Sequence, residues 1–272
     1  MTLAGAVGAA ACAPDHNGTR RRREALLIGG ASAMLPLTTA LALAQALMRE
    51  RGAPAAVVER GGSLPAYIAA SRHAIDVAAM TRALSDSEDS AGAHQYLIAR
   101  GRVDIVVNRA LGVDGLSQSR LRALLTGEVK HWPPMGGPGL PVTVYVHARA
   151  SAARVCTEQV VLDGGEFGVD ARECAGDAGL LAAVAADPGA IACIDASAYQ
   201  AAASDPGQLA RLAVDGVAAS HATVLTGRYP FTYSFYLLRH GRPGGVGDAF
   251  IRFTRSAAGQ AIVARHGLVG VC

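Results

Sequence analysis

Lysine is nearly missing from this 272-residue chain: Lys130 is the only one among 25 basic residues, the others being arginine. Aromatic residues make up 5% and charged residues 17%. With 22 acidic residues the net charge is +3, too even a balance for a protein that neutralises a phosphodiester backbone through a dense basic face, so no nucleic-acid partner is expected. The arginine bias accompanies abundant alanine and glycine and reads as the coding bias of a GC-rich genome. No CxxC pair occurs, which argues against a zinc cluster or a dithiol redox motif. GxSxG, P-loop, strand-linked GxGxxG and HExxH patterns are absent too. The eight histidines are scattered along the chain. The expectation is a protein that is not an enzyme and carries no cofactor or metal. In contrast, apolar residues reach 51%, ample for one large domain or two lobes.

Five cysteines are present, at 12, 156, 174, 193 and 272. Cys12 follows Gly8-Ala9-Ala10-Ala11 and resembles a bacterial lipoprotein cleavage box, in which the cysteine becomes the acylated N-terminus. The remaining four form an even set that suits an oxidising compartment, with Cys156–Cys174 and Cys193–Cys272 as the preferred disulfides. A second export signal competes with Cys12. Arg20 to Arg23 precede Ala25 to Met48, 24 residues without a charge. That stretch is long enough for a signal h-region with Ala42-Leu43-Ala44 as its cleavage site, or for a membrane span. Glycine, serine, threonine and proline dilute it, and it divides into a strand-like Leu26-Leu27-Ile28 and a helical Leu37, Leu41, Ala44 and Met48.

Beyond residue 23, strand-like and helical runs alternate. Strands are expected at 55–58, 74–80, 103–107, 142–146, 190–194 and 235–238. Helices are expected at 64–70, 117–126 and 152–162, with a long amphipathic one over 247–265. This alternation predicts an α/β fold with mostly parallel sheets.

Three places share one design, in which a strand ends, a small-residue turn follows and a helix begins. They are Gly29 to Pro36, Gly61 to Pro65 and Arg149 to Arg154. Each offers a serine (Ser32, Ser63, Ser151) at the expected N-cap and first-turn amides that attract anions. A fourth segment, Ala79-Met80-Thr81-Arg82, sets a hydroxyl and a guanidinium just past a strand. Together they predict a dehydrated oxyanion pocket.

At these residues the sequence resembles the phosphate-type periplasmic substrate-binding proteins of ABC transporters. Gly30 to Leu37 looks like the family's first ligand loop, with Gly61-Gly62-Ser63 at the expected distance and Asp76 to Leu84 similar to its next segment. Leu116 to Trp132 (LSQSRLRALLTGEVKHW), Ser151 to Leu162, Asp187 to Ile191, Tyr229-Pro230-Phe231 and Ala257 to Val269 follow in the family's order. The resemblance implies a type II two-lobed fold with two crossover strands and a ligand between the lobes. It divides the chain into a leader (1–23), a discontinuous first lobe (24–105 and 228–272) and a second lobe (106–227). The implied protein is a periplasmic or cell-surface monomer that captures phosphate for a membrane permease. The alternative is a degenerate or sensory relative acting through a protein partner. Because Ser32 would line the cleft, the resemblance places processing near Cys12.

The implied ligand residues are Ser32, Ala33, Ser63, Thr81, Arg82, Arg149, Ser151, Ala152 and Ala153, with His147, Met34 and Tyr233 as further candidates. Departures from the family are visible. Threonine is usual where Ala33 stands, and Gly-Thr where Ala152-Ala153 stand. The family's arginine before the third loop falls on His147 without a gap and on Arg149 with one deletion. Arg82 occupies a position where some members place the aspartate that accepts the proton of hydrogen phosphate. Tyr233 stands where arginine is frequent.

Overall fold

The structure is a computed structural model that describes residues 25–48, 55–89, 92–149, 151–202 and 206–271. The leader, Cys12 and Cys272 lie outside the described residues. The first lobe opens with strand β1 (Ala25–Ala31), helix α1 (Leu35–Met48), β2 (Ala55–Gly61), α2 (Ser63–Ser71) and β3 (Val77–Met80). A 16-residue strand, β4 (Ala93–Asn108), leads to the second lobe. There follow β5 (Gly115–Leu116), α3 (Gln118–Leu125), β6 (Thr143–His147), α4 (Ala152–Val161), β7 (Arg172–Cys174) and α5 (Gly176–Ala186). Next come β8 (Ala190–Asp195), α6 (Ala196–Ala202), β9 (Leu209–Arg211), β10 (Ala213–Val214) and α7 (His221–Leu225). The chain returns through β11 (Thr232–His240), α8 (Gly245–Arg255), α9 (Ala257–Arg265) and β12 (Val269–Gly270).

β1 lies between β2 and β3, parallel to both, and β11 joins β3 antiparallel. β4 pairs with β11 from Ala93 to Arg102 and with β8 from Val103 to Val107, so it passes from the first sheet into the second within one residue. In the second lobe β8, β6 and β7 are parallel. The expected parallel sheets are therefore present, each with an antiparallel linking strand. Pairing of strands that are not neighbours in sequence leaves the carboxyl ends of β1, β2 and β3 together at one edge. The carboxyl ends of β6, β7 and β8 meet in the same way in the other lobe. Loops at such ends are where α/β proteins bind ligands.

Each sheet is covered on both faces. Leu37 and Leu41 of α1, Phe250 and Ile251 of α8, and Ile262 and Val263 of α9 bury against one face of the first sheet. Ala66 and Ala70 of α2 cover its other face. In the second lobe Leu121 and Leu124 of α3, Val161 of α4 and the only tryptophan, Trp132, form one core, and Leu180, Leu181 and Val184 of α5 the other. Trp132 is fully buried and its indole Nε1 donates to the Gly189 carbonyl at 2.9 Å.

Two differences from the sequence reading have physical causes. The long amphipathic run over 247–265 is two helices. Ser256 is extended (ψ 164°) and caps α9 by accepting from Gly259 N at 3.3 Å. A Cβ at Gly259 would stand 2.2 Å from the Phe253 carbonyl, so only glycine fits that corner. The second difference concerns disulfides: Cys156, Cys174 and Cys193 are free thiols. Cys156 packs on the α3–Trp132 core and Cys174 on the α5 core, so β6 and its neighbours separate them. Cys193 sits buried in the middle of β8, where burial pushes its thiol up to about 12. No helix among the described residues is long and apolar enough to cross a membrane.

Candidate functional site

At the first lobe's edge the backbone is drawn tight. Gly30 faces Ala79 so closely that a Cβ would lie 2.1 Å from the Ala79 carbonyl, which explains the glycine before the first turn. The chain then makes a single 3-10 turn, Ser32–Met34. Ala31, not Ser32, holds the N-cap position and no side chain caps the turn, which corrects the expected serine cap. Ser32 and Ala33 are exposed, while Met34 is fully buried and anchors the turn in the first lobe's core. Its side chain is therefore closed off from any ligand.

Ser63 likewise is the first helical residue of α2, with Gly62 as N-cap. Its hydroxyl turns instead to Thr81: Thr81 N donates to Ser63 Oγ at 3.1 Å, and the two hydroxyls lie 3.4 Å apart. The ends of β2 and β3 thus present a hydroxyl pair. Arg82 is engaged elsewhere. Its guanidinium forms a fork with Glu88 at 2.5 and 2.6 Å, and Ser85 N also donates to the Glu88 carboxylate at 3.0 Å. These donors hold the Glu88 carboxyl well below the usual range, at about 2.

In the second lobe Ser151 is the N-cap of α4, accepting from Arg154 N at 3.1 Å. Ala152 and Ala153 occupy the helix's first turn, where backbone N–H groups have no intrahelical partner. α4 lies beside the Ser32–Met34 turn of the other lobe. Arg149 points outward: it and its partner Glu166, 3.4 Å away, are 71% and 74% exposed. Arg154, which sequence reasoning did not single out, is buried under Phe167 and paired with Glu158 and Glu173. His147, the last residue of β6, is buried, and its Nε2 lies 2.8 Å from Asp177 Oδ1 in the first turn of α5. Asp177 was also not singled out. A carboxylate in a helix's first turn is common enough that its sequence gives no signal of a partner 30 residues away.

Tyr233 joins the lobes. On β11 it stands opposite Gly101 of β4, and a Cβ at Gly101 would fall 2.0 Å from its ring. Over that gap the phenol donates to Asp195, at the end of β8 on the far side of β4. Burial, then the Asp195 carboxylate, push the Tyr233 phenol well above its ordinary value. Asp195 also accepts from the hydroxyl and the amide of Ser197.

Ser63 and Thr81 thus pair their hydroxyls at the ends of β2 and β3, and α4 of the second lobe lies beside the Ser32–Met34 turn of the first. A family model described as a PBP superfamily domain matches residues 15–258. The chain belongs to the PBP superfamily. Over 279 aligned residues it is 26% identical to the phosphate-binding protein PstS of Bacillus subtilis (strain 168), covering 100% of this chain and 90% of that protein. Among solved structures, an ABC-type phosphate transport receptor from Vibrio cholerae is similar at TM-score 0.81 and 17% identity, covering 91% of this chain and 100% of its own. PstS from Borrelia burgdorferi is similar at TM-score 0.79 and 18% identity, with 91% and 99% covered. The fold is the two-lobed binding-protein fold expected from the sequence.

Proposed function

We propose that this PBP-superfamily protein is an extracytoplasmic receptor that captures phosphate between its lobes and presents it to an ABC permease, doing no chemistry on the ligand. The observation that carries the reading is how these loops are placed. The Ser63–Thr81 hydroxyl pair ends β2 and β3, and helix α4, capped by Ser151, lies beside the Ser32–Met34 turn. Backbone amides at such positions bind small anions. The PstS relative supports phosphate as that anion. Ser32, Ala33, Ser63, Thr81, Ser151, Ala152 and Ala153 are the proposed first contacts. Export by a lipid-modified Cys12 belongs to the same proposal.

The second reading, a sensory relative with another ligand, draws on one observation: Arg82, Arg149 and Arg154 are each paired with carboxylates. Isothermal titration of the purified protein with phosphate, sulfate and molybdate separates the two. Phosphate binding is expected in the wild type. Ser63→Ala and Thr81→Val are expected to weaken it by about tenfold each, since a hydrogen bond to an anion contributes roughly 1.5–3 kcal/mol. Heat with none of the anions would leave only the sensory reading.

A further inference from the structure

Helix α1 (LPLTTALALAQALM) carries no charged residue over its 14 positions. Leu37, Thr38, Leu41, Ala42 and Gln45 are buried against the first lobe. The outward side of a surface helix ordinarily holds its charges. Here it holds Leu43, Leu47 and Met48, which are 60%, 78% and 66% exposed. Leu43 and Leu47 stand four residues apart and so lie on one line of the helix surface. An exposed apolar patch of this kind marks an interaction surface.

The topology fixes where the patch lies. β1 and β2 are parallel, and Ala25 at the start of one pairs with Ala55 at the start of the other. α1 connects the end of β1 to the start of β2, so it runs back along the sheet and finishes at the end where β1 begins. The candidate anion loops lie at the other end, about 20 Å away along a seven-residue strand. Arg72 and Arg242, both exposed, belong to the same end as the patch. Arg242 and His73 line a cavity there with Asp76, whose carboxylate accepts from Leu27 N near the start of β1. The acids at this end are engaged, Asp76 by Leu27 and Asp248 by Arg239 and Gly244 N. The sequence adds its most basic run at the same point: Arg20 to Arg23 precede Ala25, with Glu24 the one acid between them. A chain spans at most about 3.6 Å per residue, so the backbone of all four arginines stays within about 18 Å of Ala25.

We propose that this end of the first lobe is a docking face for an anionic phospholipid bilayer, with Leu43, Leu47 and Met48 entering the interface and the arginines meeting lipid phosphates. Apolar side chains of a helix lying on a membrane bury at the boundary between headgroups and acyl chains, and neighbouring basic residues are drawn to anionic lipid. A second copy of the chain fits the face less well. A two-fold contact sets the same surface of each copy against the other, which would bring two basic runs together, whereas an anionic bilayer attracts them. The candidate anion loops, at the far end of the lobe, stay in solvent while the face is docked. The inference stands beside the phosphate reading and does not depend on it.

The test is co-sedimentation of the full chain with vesicles of phosphatidylcholine alone and of phosphatidylcholine with about 30% phosphatidylglycerol. Cys12→Ser is present throughout, so that no acyl group contributes. The parent is expected to bind the anionic vesicles at least about tenfold more tightly than the neutral ones and to be released by high salt. Changing Leu43, Leu47 and Met48 together to Gln is expected to weaken that binding about tenfold, as is changing Arg20 to Arg23 to Gln. Val169→Gln, at a fully exposed apolar residue of the second lobe, is expected to leave it unchanged. The three α1 side chains are exposed, so their replacement leaves the core intact. Leu47→Trp supplies a second readout: its emission moves to the blue on anionic vesicles, while buried Trp132 does not respond. No binding to anionic vesicles, a triple Gln variant that binds like the parent, or Leu47→Trp emission that stays in place overturns the inference. So does concentration-dependent dimerisation that the triple variant abolishes, which would give the face to a second copy. Titration of the same proteins with phosphate is a separate result: its failure removes the phosphate reading and leaves the vesicle result standing.

Discussion

Glu88 shows how a single side chain redirects a candidate ligand. Arg82 stands directly after Thr81, and from spacing alone it belongs to the anion site. Six residues later a carboxylate meets it in a two-bond fork, and Ser85 N joins from the intervening turn. Gln95 ties the same loop down by accepting from Leu84 N and donating to the Arg82 carbonyl, each at 3.1 Å. None of this is legible in sequence, because a Glu six positions from an Arg meets it only if the loop between them folds back. The pairing has a testable pH signature. Glu88 is depressed to about 2, so its contribution to stability is complete above the ordinary value near 4.5 and disappears as pH falls through about 2. Glu88→Gln is expected to flatten the acid limb of a stability–pH curve in that window, measured by thermal unfolding. It should also release the Arg82 guanidinium, raising affinity for anions of either protonation state. An unchanged acid limb would mean that the fork persists in the unfolded ensemble or carries no energy.

At the scale of elements, the turns at the strand ends were legible and their capping was only partly so. Gly30, Gly61-Gly62 and the serines mark the turns because close backbone approach and helix starts demand small residues and short oxygens. Ser151 fulfils its capping pattern, whereas Ser32 opens a 3-10 turn and Ser63 turns its hydroxyl to Thr81. Serines in the same local pattern thus take different roles, and only tertiary neighbours decide which. Helix α5 (GDAGLLAAVAA) escaped notice for another reason. Its residues are almost all small or apolar, so no polar face alternates with a buried one. The N-terminal half of β4 escaped too, being mostly half-buried and interrupted by Arg100 and Gly101. The cap makes a prediction at this scale. Ser151→Ala should destabilise the protein by about 1 kcal/mol in urea unfolding. Ser151→Pro should do more, because it also removes the Ser151 N to Ala148 carbonyl bond of 2.8 Å. Equal effects of the two would show that the backbone bond contributes nothing.

For the molecule as a whole, the decisive place is where β4 changes sheets. Arg102 and Asp104 are buried there and bonded at 2.8 Å, Tyr229 Oη donates to the Val103 carbonyl at 2.8 Å, and Val103 N donates to the Phe231 carbonyl at 2.9 Å. The returning chain is thus fastened to the crossing strand on both sides of Val103. Across the same point Tyr233 reaches over Gly101 to Asp195, linking a strand of the first sheet to the end of a strand of the second. A rotation of one lobe against the other about residues 101–103 must change that span, so the bond favours one relative setting of the lobes. A bond that exists in only one of two conformations shifts their populations by its full energy. Tyr233→Phe is therefore expected to enlarge the ligand-free radius of gyration in small-angle scattering and to weaken phosphate binding several-fold. Asp195 remains satisfied by Ser197, so the fold should survive. Gly101→Ala, which leaves the phenol and the carboxylate in place but drives a methyl into the ring, should open the molecule in the same direction. If both variants scatter like the wild type, the contact follows lobe closure instead of favouring it, and the setting of the lobes must come from Arg102, Asp104 and the loops that meet at the ligand.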